Sequence, residues 1–305
     1  MNILVTGANG QLGRCLQDKV KLNGNGMPDH SAFDKNYWLF ANKEELDITN
    51  INDVEKYFHE HNICVVINCA AYTNVEKAEN EIEIAEKINT QGAKNLALTC
   101  FKHGAILIHI STDYVFNGNI NHSYVPTDKC NPLNVYGLTK RNGEIEIEKS
   151  GCQYIIFRTS WLYSKYGKNF VKTITEKLLN SENVLAVDDQ IGSPTCANDL
   201  ADFLYTIIET NNADNRYLFK TGIYHFANKG IATWYDIACR IQHFLNLGVV
   251  NSCLSTDFPS KVKRPNFSAF STKLTEETFN YMINHWINSL ENNLLEIAKT
   301  FENEI

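Results

Sequence analysis

Short apolar runs recur at residues 3–6, 38–40, 65–68, 106–110, 155–158 and 184–187, with longer amphipathic stretches between them. The runs are rich in Ile and Val and lack strict polar alternation, the pattern of strands covered by helices on both faces. Strand and helix in turn predict right-handed βαβ crossovers and a parallel sheet. Between the first helix and the second strand, Asn23-Gly24-Asn25-Gly26 followed by Pro28 reads as a surface loop.

Past residue 158 the alternation loosens, although 198–209 (NDLADFLYTIIE) keeps a helical period suited to packing on the sheet. Thr233 precedes WYDIACRIQHFL as an N-cap precedes its helix, and a polar segment over 255–265 follows. Trp286, Leu290, Leu294, Ile297 and Phe301 then recur on one face of a C-terminal helix, predicted to dock on a smaller lobe. A chain of 305 residues is long for one core and short for three. The expected division is a dinucleotide-binding domain over 1–158 and 187–221, and a substrate-binding domain over 159–186 and 222–305.

Composition narrows the field. With 44% hydrophobic and 21% charged residues the chain has the means to fold, which excludes a disordered class. Nine cysteines include no CxxC pair, so they read as reduced thiols, neither a disulfide framework nor a zinc site. No basic leader precedes MNILVTGANG and no apolar run approaches the ~18 residues of a membrane span, which gives a cytoplasmic protein as the expectation. A net charge of −7 argues against nucleic acid or an anionic membrane as partner, since both need a basic face. One pyrophosphate needs only a helix N-terminus and a cation or two.

Such a place is Gly7-x-x-Gly10-x-x-Gly13, directly after the first strand and opening the first helix. The turn needs a residue without Cβ, the helix start offers free N–H groups, and Gly13 lets helix and strand approach. This points to a Rossmann-type doubly wound α/β fold. The acidic residue that usually follows by about 20 positions, to hold a ribose 2′-hydroxyl, is missing. Asn42-Lys43 stands there instead and suits a 2′-phosphate, so NADPH is favoured and NADH is also accommodated. Asp47, beside Ile48, is placed either for the adenine amino group or to cap a helix near Asn50. Ala70, Ala71 and Tyr72 end the third strand in a turn that Asn89 and Gly92 would brace or merely pack against.

Tyr136 and Lys140 stand four apart, on one helix face. An ammonium beside a phenol lowers its pKa from about 10 and makes it a general acid near neutral pH. Thr112, at the end of the fourth strand, supplies a hydroxyl for a carbonyl or alkoxide oxygen; Asp113 either holds a substrate hydroxyl or shapes the turn.

Taken in order, VTGANGQLG, NCAAYTNVEKAE, STDYVFNG, NPLNVYGLTK, FRTSWLY, DDQIGSPT and KRPNFS run along nearly the whole chain. They resemble the dTDP-4-dehydrorhamnose reductases, extended short-chain dehydrogenases that act on a nucleotide-sugar substrate. The resemblance implies that Gly10, Gln11, Leu12, Asp47 and the turn of Ala70, Ala71 and Tyr72 touch the cofactor. It places Thr112, Asp113 and Trp161 at the sugar, Tyr136 as proton donor, and Lys140 between tyrosine and nicotinamide ribose. Hydride would then attack C4 of dTDP-4-dehydro-6-deoxy-L-mannose to give dTDP-L-rhamnose, a precursor of cell-surface polysaccharide. Asn169, residues 190–195 and Arg264 would support the far side of the substrate, Arg264 against the pyrophosphate.

Some relatives dimerise around magnesium held by carboxylates, whereas the matching positions here are Cys15 and Asn198. Neither is a good hard-cation ligand, so no structural metal is expected and a homodimer remains open. A second enzyme reading is another nucleotide-sugar reductase, an epimerase or a dehydratase of similar fold. Gln11-Leu12 in the glycine turn separates the chain from most sugar epimerases, and dehydratases place Asp-Glu after the catalytic Thr, whereas Asp113 is followed by Tyr114. A regulatory alternative resembles the NADP-binding beta subunit of methionine adenosyltransferase, against which the complete Thr112, Tyr136, Lys140 set argues.

Overall fold

The computed structural model describes residues 1–23, 36–212, 220–258, 260 and 262–302. Asn23 ends the first helix, and the remainder of the turn-rich stretch, Gly24 to Pro28, lies outside the described residues. The chain opens with β1 (Asn2–Thr6), α1 (Gln11–Leu22), β2 (Tyr37–Ala41), α2 (Ile51–His61) and β3 (Val65–Asn68). Short α3 (Val75–Ala78) and α4 (Ile82–Glu86) lead through a π-helical turn, Lys87–Gly92, into α5 (Ala93–His103). Then come β4 (Ile106–Thr112), α6 (Val135–Lys149) and β5 (Gln153–Thr159).

The second half alternates less regularly: β6 (Leu162–Tyr163), α7 (Phe170–Leu179), β7 (Asn183–Val187), β8 (Ile191–Gly192), β9 (Thr195–Cys196) and α8 (Ala197–Asn212). It continues with β10 (Gly222–His225), β11 (Ala232–Thr233), α9 (Trp234–Leu245), β12 (Val249–Cys253), α10 (Lys273–Phe279) and α11 (Trp286–Glu302).

Six strands form one parallel sheet in the order β10-β5-β4-β3-β1-β2. Its two faces are separate cores, as the unbroken apolar runs require. Ile3 and Val5 pack with Leu12, Leu16 and α8 residues such as Phe203, while Leu4 faces Val54, Phe58 and Leu96. The chain leaves β1 for β2 on one side and returns to β3 on the other. That reversal opens a crevice at the carboxyl ends of β1 and β3, where doubly wound sheets bind ligands.

Two sequence expectations need correction. The run at 184–187 is no strand of the central sheet: β7 pairs in parallel with β12 in a separate two-stranded sheet. The sixth strand is β10, paired with β5 from Gly222 to His225, so the expected boundary at 222 falls inside the sheet. Gly222-Ile223-Tyr224-His225 is too short and mixed to stand out as a buried run. Thr233 caps α9 with a full capping box through Asp236. Trp286, Leu290, Leu294 and Ile297 bury against α7 and α9 residues in a third core, the body of the smaller lobe.

Candidate active site

A cleft of about 870 Å³ lies along the carboxyl ends of the strands, a size suited to a cofactor and a substrate together. Its floor is the turn after β1. Gly7 has φ +66°, and a Cβ on it would lie 2.7 Å from the Ala70 amide nitrogen; one on Gly13 would lie 2.5 Å from the Gly7 carbonyl oxygen. The turn therefore closes only with glycine at both places. Gly10 begins α1 with no side-chain cap, leaving first-turn N–H groups to face an anion.

Gln11, Leu12, Lys43, Asp47 and Ile48 all line the cleft with the three glycines. Asp47 accepts from the Thr49 amide and hydroxyl, while Asn50 caps α2, so the cap role weighed for Asp47 belongs to its neighbour. Ala70 and Ala71 also line the cleft. Tyr72 does not: its phenol donates to Glu81 at 2.7 Å, and it contributes only a backbone turn, held at both ends by Asn89. Asn89 thus has the bracing role, and Gly92 makes room for Ile48.

Thr112, Asp113, Tyr136, Lys140 and Trp161 line the other end of the same cleft. Thr112 accepts from the Tyr114 amide and starts a 3₁₀ turn. Tyr136 enters in the first turn of α6, whose N-cap Asn134 accepts from Gly137 N at 2.8 Å. A Cβ on Gly137 would sit 2.1 Å from the Tyr114 carbonyl oxygen, so glycine there is what lets α6 approach the strand end. Tyr114 packs edge-on against Tyr136.

The electrostatics differ from the sequence expectation. Burial pushes the Tyr136 phenol up, and the opposing effect comes from a hydrogen bond with Thr112. Lys140 makes its bonds elsewhere, donating to Ile110 O at 2.6 Å and lying 3.1 Å from His109 Nε2. Burial lowers Lys140 to about 8. The threonine hydroxyl, not the ammonium, is therefore what opposes that rise in the free protein, and burial still prevails. Burial likewise raises Asp113 to about 6, against hydrogen bonds from Ser268 and Thr112.

On the far wall Trp161, at φ +48°, stacks on Trp234 with centroids 3.6 Å apart, and Gly192 lies against its ring. Asn169 is not a wall residue. It caps α7 and donates to Gln11 Oε1 at 2.9 Å, where Ser164 also donates. Arg264 lies outside the lining, paired with Glu76 at 3.0 Å. The residues that sequence reading missed are those behind the wall: Asn68, His109, Glu144, Arg158, Ser164 and Ser268. His109 carried a signal, a titratable residue inside an otherwise apolar strand, and Ser268 closed a quoted motif.

Residues 1–299 match the family described as RmlD substrate binding domain. The chain is 37% identical over 298 residues to a dTDP-4-dehydrorhamnose reductase of Aggregatibacter actinomycetemcomitans, covering 95% of this chain and 97% of that one. It is similar in structure to the dTDP-4-dehydrorhamnose reductase of Clostridium acetobutylicum, with TM-score 0.87 and 37% identity over 97% of this chain and 99% of that one. The Bacillus anthracis reductase, solved in complex with NADP, gives TM-score 0.85 at 35% identity over 97% and 99%. Fold, cleft and sequence agree, and the chain belongs to the RmlD substrate-binding-domain family, that of the dTDP-4-dehydrorhamnose reductases.

Proposed function

We propose that this protein reduces the C4 ketone of dTDP-4-dehydro-6-deoxy-L-mannose to dTDP-L-rhamnose with NADPH. The observation that carries the reading is that Thr112, Tyr136 and Lys140 share one cleft with the uncapped glycine turn. The residues fit a dinucleotide: backbone N–H groups at Gln11 and Leu12 for a pyrophosphate, the Gly10 N–H being spent on Gly7 O, with Asp47 for adenine and the Lys43 cation beside Asn42 for a 2′-phosphate. Bound NADPH supplies hydride. The Thr112 hydroxyl holds the ketone oxygen, and the Tyr136 phenol gives that oxygen its proton as negative charge develops. Lys140, buried beneath, keeps a donor directed at this end of the cleft. Trp161 on its Trp234 platform offers an apolar face to the sugar.

Asn169 acts through Gln11, and Arg264 reaches a substrate phosphate only by leaving Glu76. The magnesium-linked dimer of some relatives does not fit this chain. Burial and Asp18 push the Cys15 thiol up to about 12, and Asn198 is hydrogen-bonded to Asn293. The protein is proposed to act in the cytoplasm, without nucleic acid, and any homodimer to be insensitive to EDTA. No described helix is long and apolar enough to cross a membrane.

The test is NADPH oxidation with dTDP-4-dehydrorhamnose. Tyr136→Phe should lower kcat by about 10²–10⁴; equal rates for the two proteins would remove the proton donor. Lys43→Ala should narrow the preference for NADPH over NADH, read from the two kcat/KM values.

A further inference from the structure

We infer that Asn68 and His109 form a positioning pair for Lys140, locking His109 with its proton on Nε2 so that the lysine nitrogen meets a donor rather than an acceptor. The inference rests on the reading of Lys140 as part of the reductase site and adds what governs its protonation.

Asn68, His109 and Lys140 are each 1% exposed, so no solvent exchanges partners among them. The Asn68 carboxamide has one possible orientation. The Ala70 backbone N–H, which can only donate, points at its Oδ1 at 3.2 Å, and the Thr6 hydroxyl donates to the same oxygen at 2.7 Å. Its NH₂ group therefore faces His109 Nδ1, 3.0 Å away. An N–H directed at Nδ1 requires a bare lone pair there, and a neutral imidazole then carries its single proton on Nε2. Imidazolium would put two donors face to face, and burial with Lys140 nearby already holds His109 well below the ordinary histidine range.

Nε2 lies 3.1 Å from Lys140 Nζ. With the proton on Nε2, that contact is a hydrogen bond only when the amine presents its lone pair. The amine's remaining bond, to Ile110 O, survives in either charge state. Other titratable groups facing the lysine do not reverse this. Cys69, from the end of β3, is a buried thiol raised to about 12 and so neutral. Tyr136, on α6, is raised by burial and is neutral too. Glu144, one turn along α6, favours the ammonium, but its carboxylate is shared among Arg158, Arg141 and Ser111. Lys140 is thus built to exchange a proton during turnover, where a lysine paired with a carboxylate would stay a fixed charge.

The test uses the full chain labelled with ¹³C,¹⁵N-histidine, His109→Gln identifying the His109 signals. The imidazole carbon and nitrogen shifts should report a neutral ring, protonated on Nε2 and bare at Nδ1, from pH 6 to 9. A ring protonated on Nδ1, or an imidazolium, overturns the inference whatever the substrate proves to be, while loss of the reductase reading leaves the tautomer unaffected. A second arm is Asn68→Asp, whose carboxylate only accepts: it draws the proton to Nδ1 and makes Nε2 an acceptor for the ammonium. The alkaline limb of kcat that follows Lys140, which burial lowers to about 8, should then move up by about one pH unit. An unmoved limb in a folded Asn68→Asp protein also overturns it, and if that variant does not fold, the native tautomer decides.

Discussion

Lys140 and Glu144 lie one turn apart on the same face of α6, both fully buried, yet their surroundings treat charge in opposite ways. Glu144 accepts the two-pronged guanidinium of Arg158, a bond from Arg141 and the Ser111 hydroxyl. Burial alone would raise its carboxyl; Arg158 first, then these hydrogen bonds, hold it below the ordinary carboxylate range. Lys140 meets a carbonyl and a neutral imidazole, and burial prevails over the field of Glu144 and Cys69. Equal burial therefore yields a permanent ion at one position and an exchangeable proton at the next. The first fastens α6 to β4 and β5; the second serves the cleft.

Breaking the permanent pair should have the largest effect. Arg158→Met leaves Glu144 buried with too few partners and should cost about 3–5 kcal/mol in denaturant unfolding. If the loss is negligible, the contrast between the two sites disappears. Lys140→Met is expected to do the reverse, lowering kcat about 100-fold while leaving the unfolding midpoint at neutral pH unchanged or higher, since no ion pair is lost.

The pH dependence of stability sharpens the contrast further. Lys140 is depressed in the folded state, from 10.5 to about 8, so the unfolded chain binds the extra proton between those values. Its contribution is complete above 10.5 and is lost as pH falls through about 8. Stability measured across that window should rise with pH in the native protein and flatten in Lys140→Met. Glu144 is also depressed, so its contribution is present above its ordinary 4.5 and lost on further acidification. Glu144→Gln should reduce the slope of acid unfolding below that point. The smallest effect is expected for Ser111→Ala, about 1 kcal/mol from one lost hydrogen bond to Glu144, with the Arg158 fork intact.

The visible part of this site in the sequence was whatever local spacing can encode. The glycine turn, the Tyr136 and Lys140 pair and the small residues after β3 are contiguous, and their backbone requirements can be read residue by residue. Partners joined across the fold could not be read in this way. Asn68 meets His109 only because β3 and β4 are neighbours in register, and Ser268 reaches Asp113 from 155 residues away. Tyr72 and Asn169 were placed by motif, and their side chains turn to Glu81 and Gln11 instead. The strand at 222–225 was hidden because an edge strand of four residues needs no long apolar run.

The grip on Gln11 has a mechanical corollary. Its carboxamide stands at the start of the nucleotide helix but is pinned by Ser164, Asn169 and the Leu162 carbonyl. The segment from Leu162 to Asn169 is thereby tied to the opening turn of α1 by one side chain. Shortening that one side chain, as in Gln11→Ala, should therefore slacken the start of the helix and the far wall of the cleft together, not one without the other.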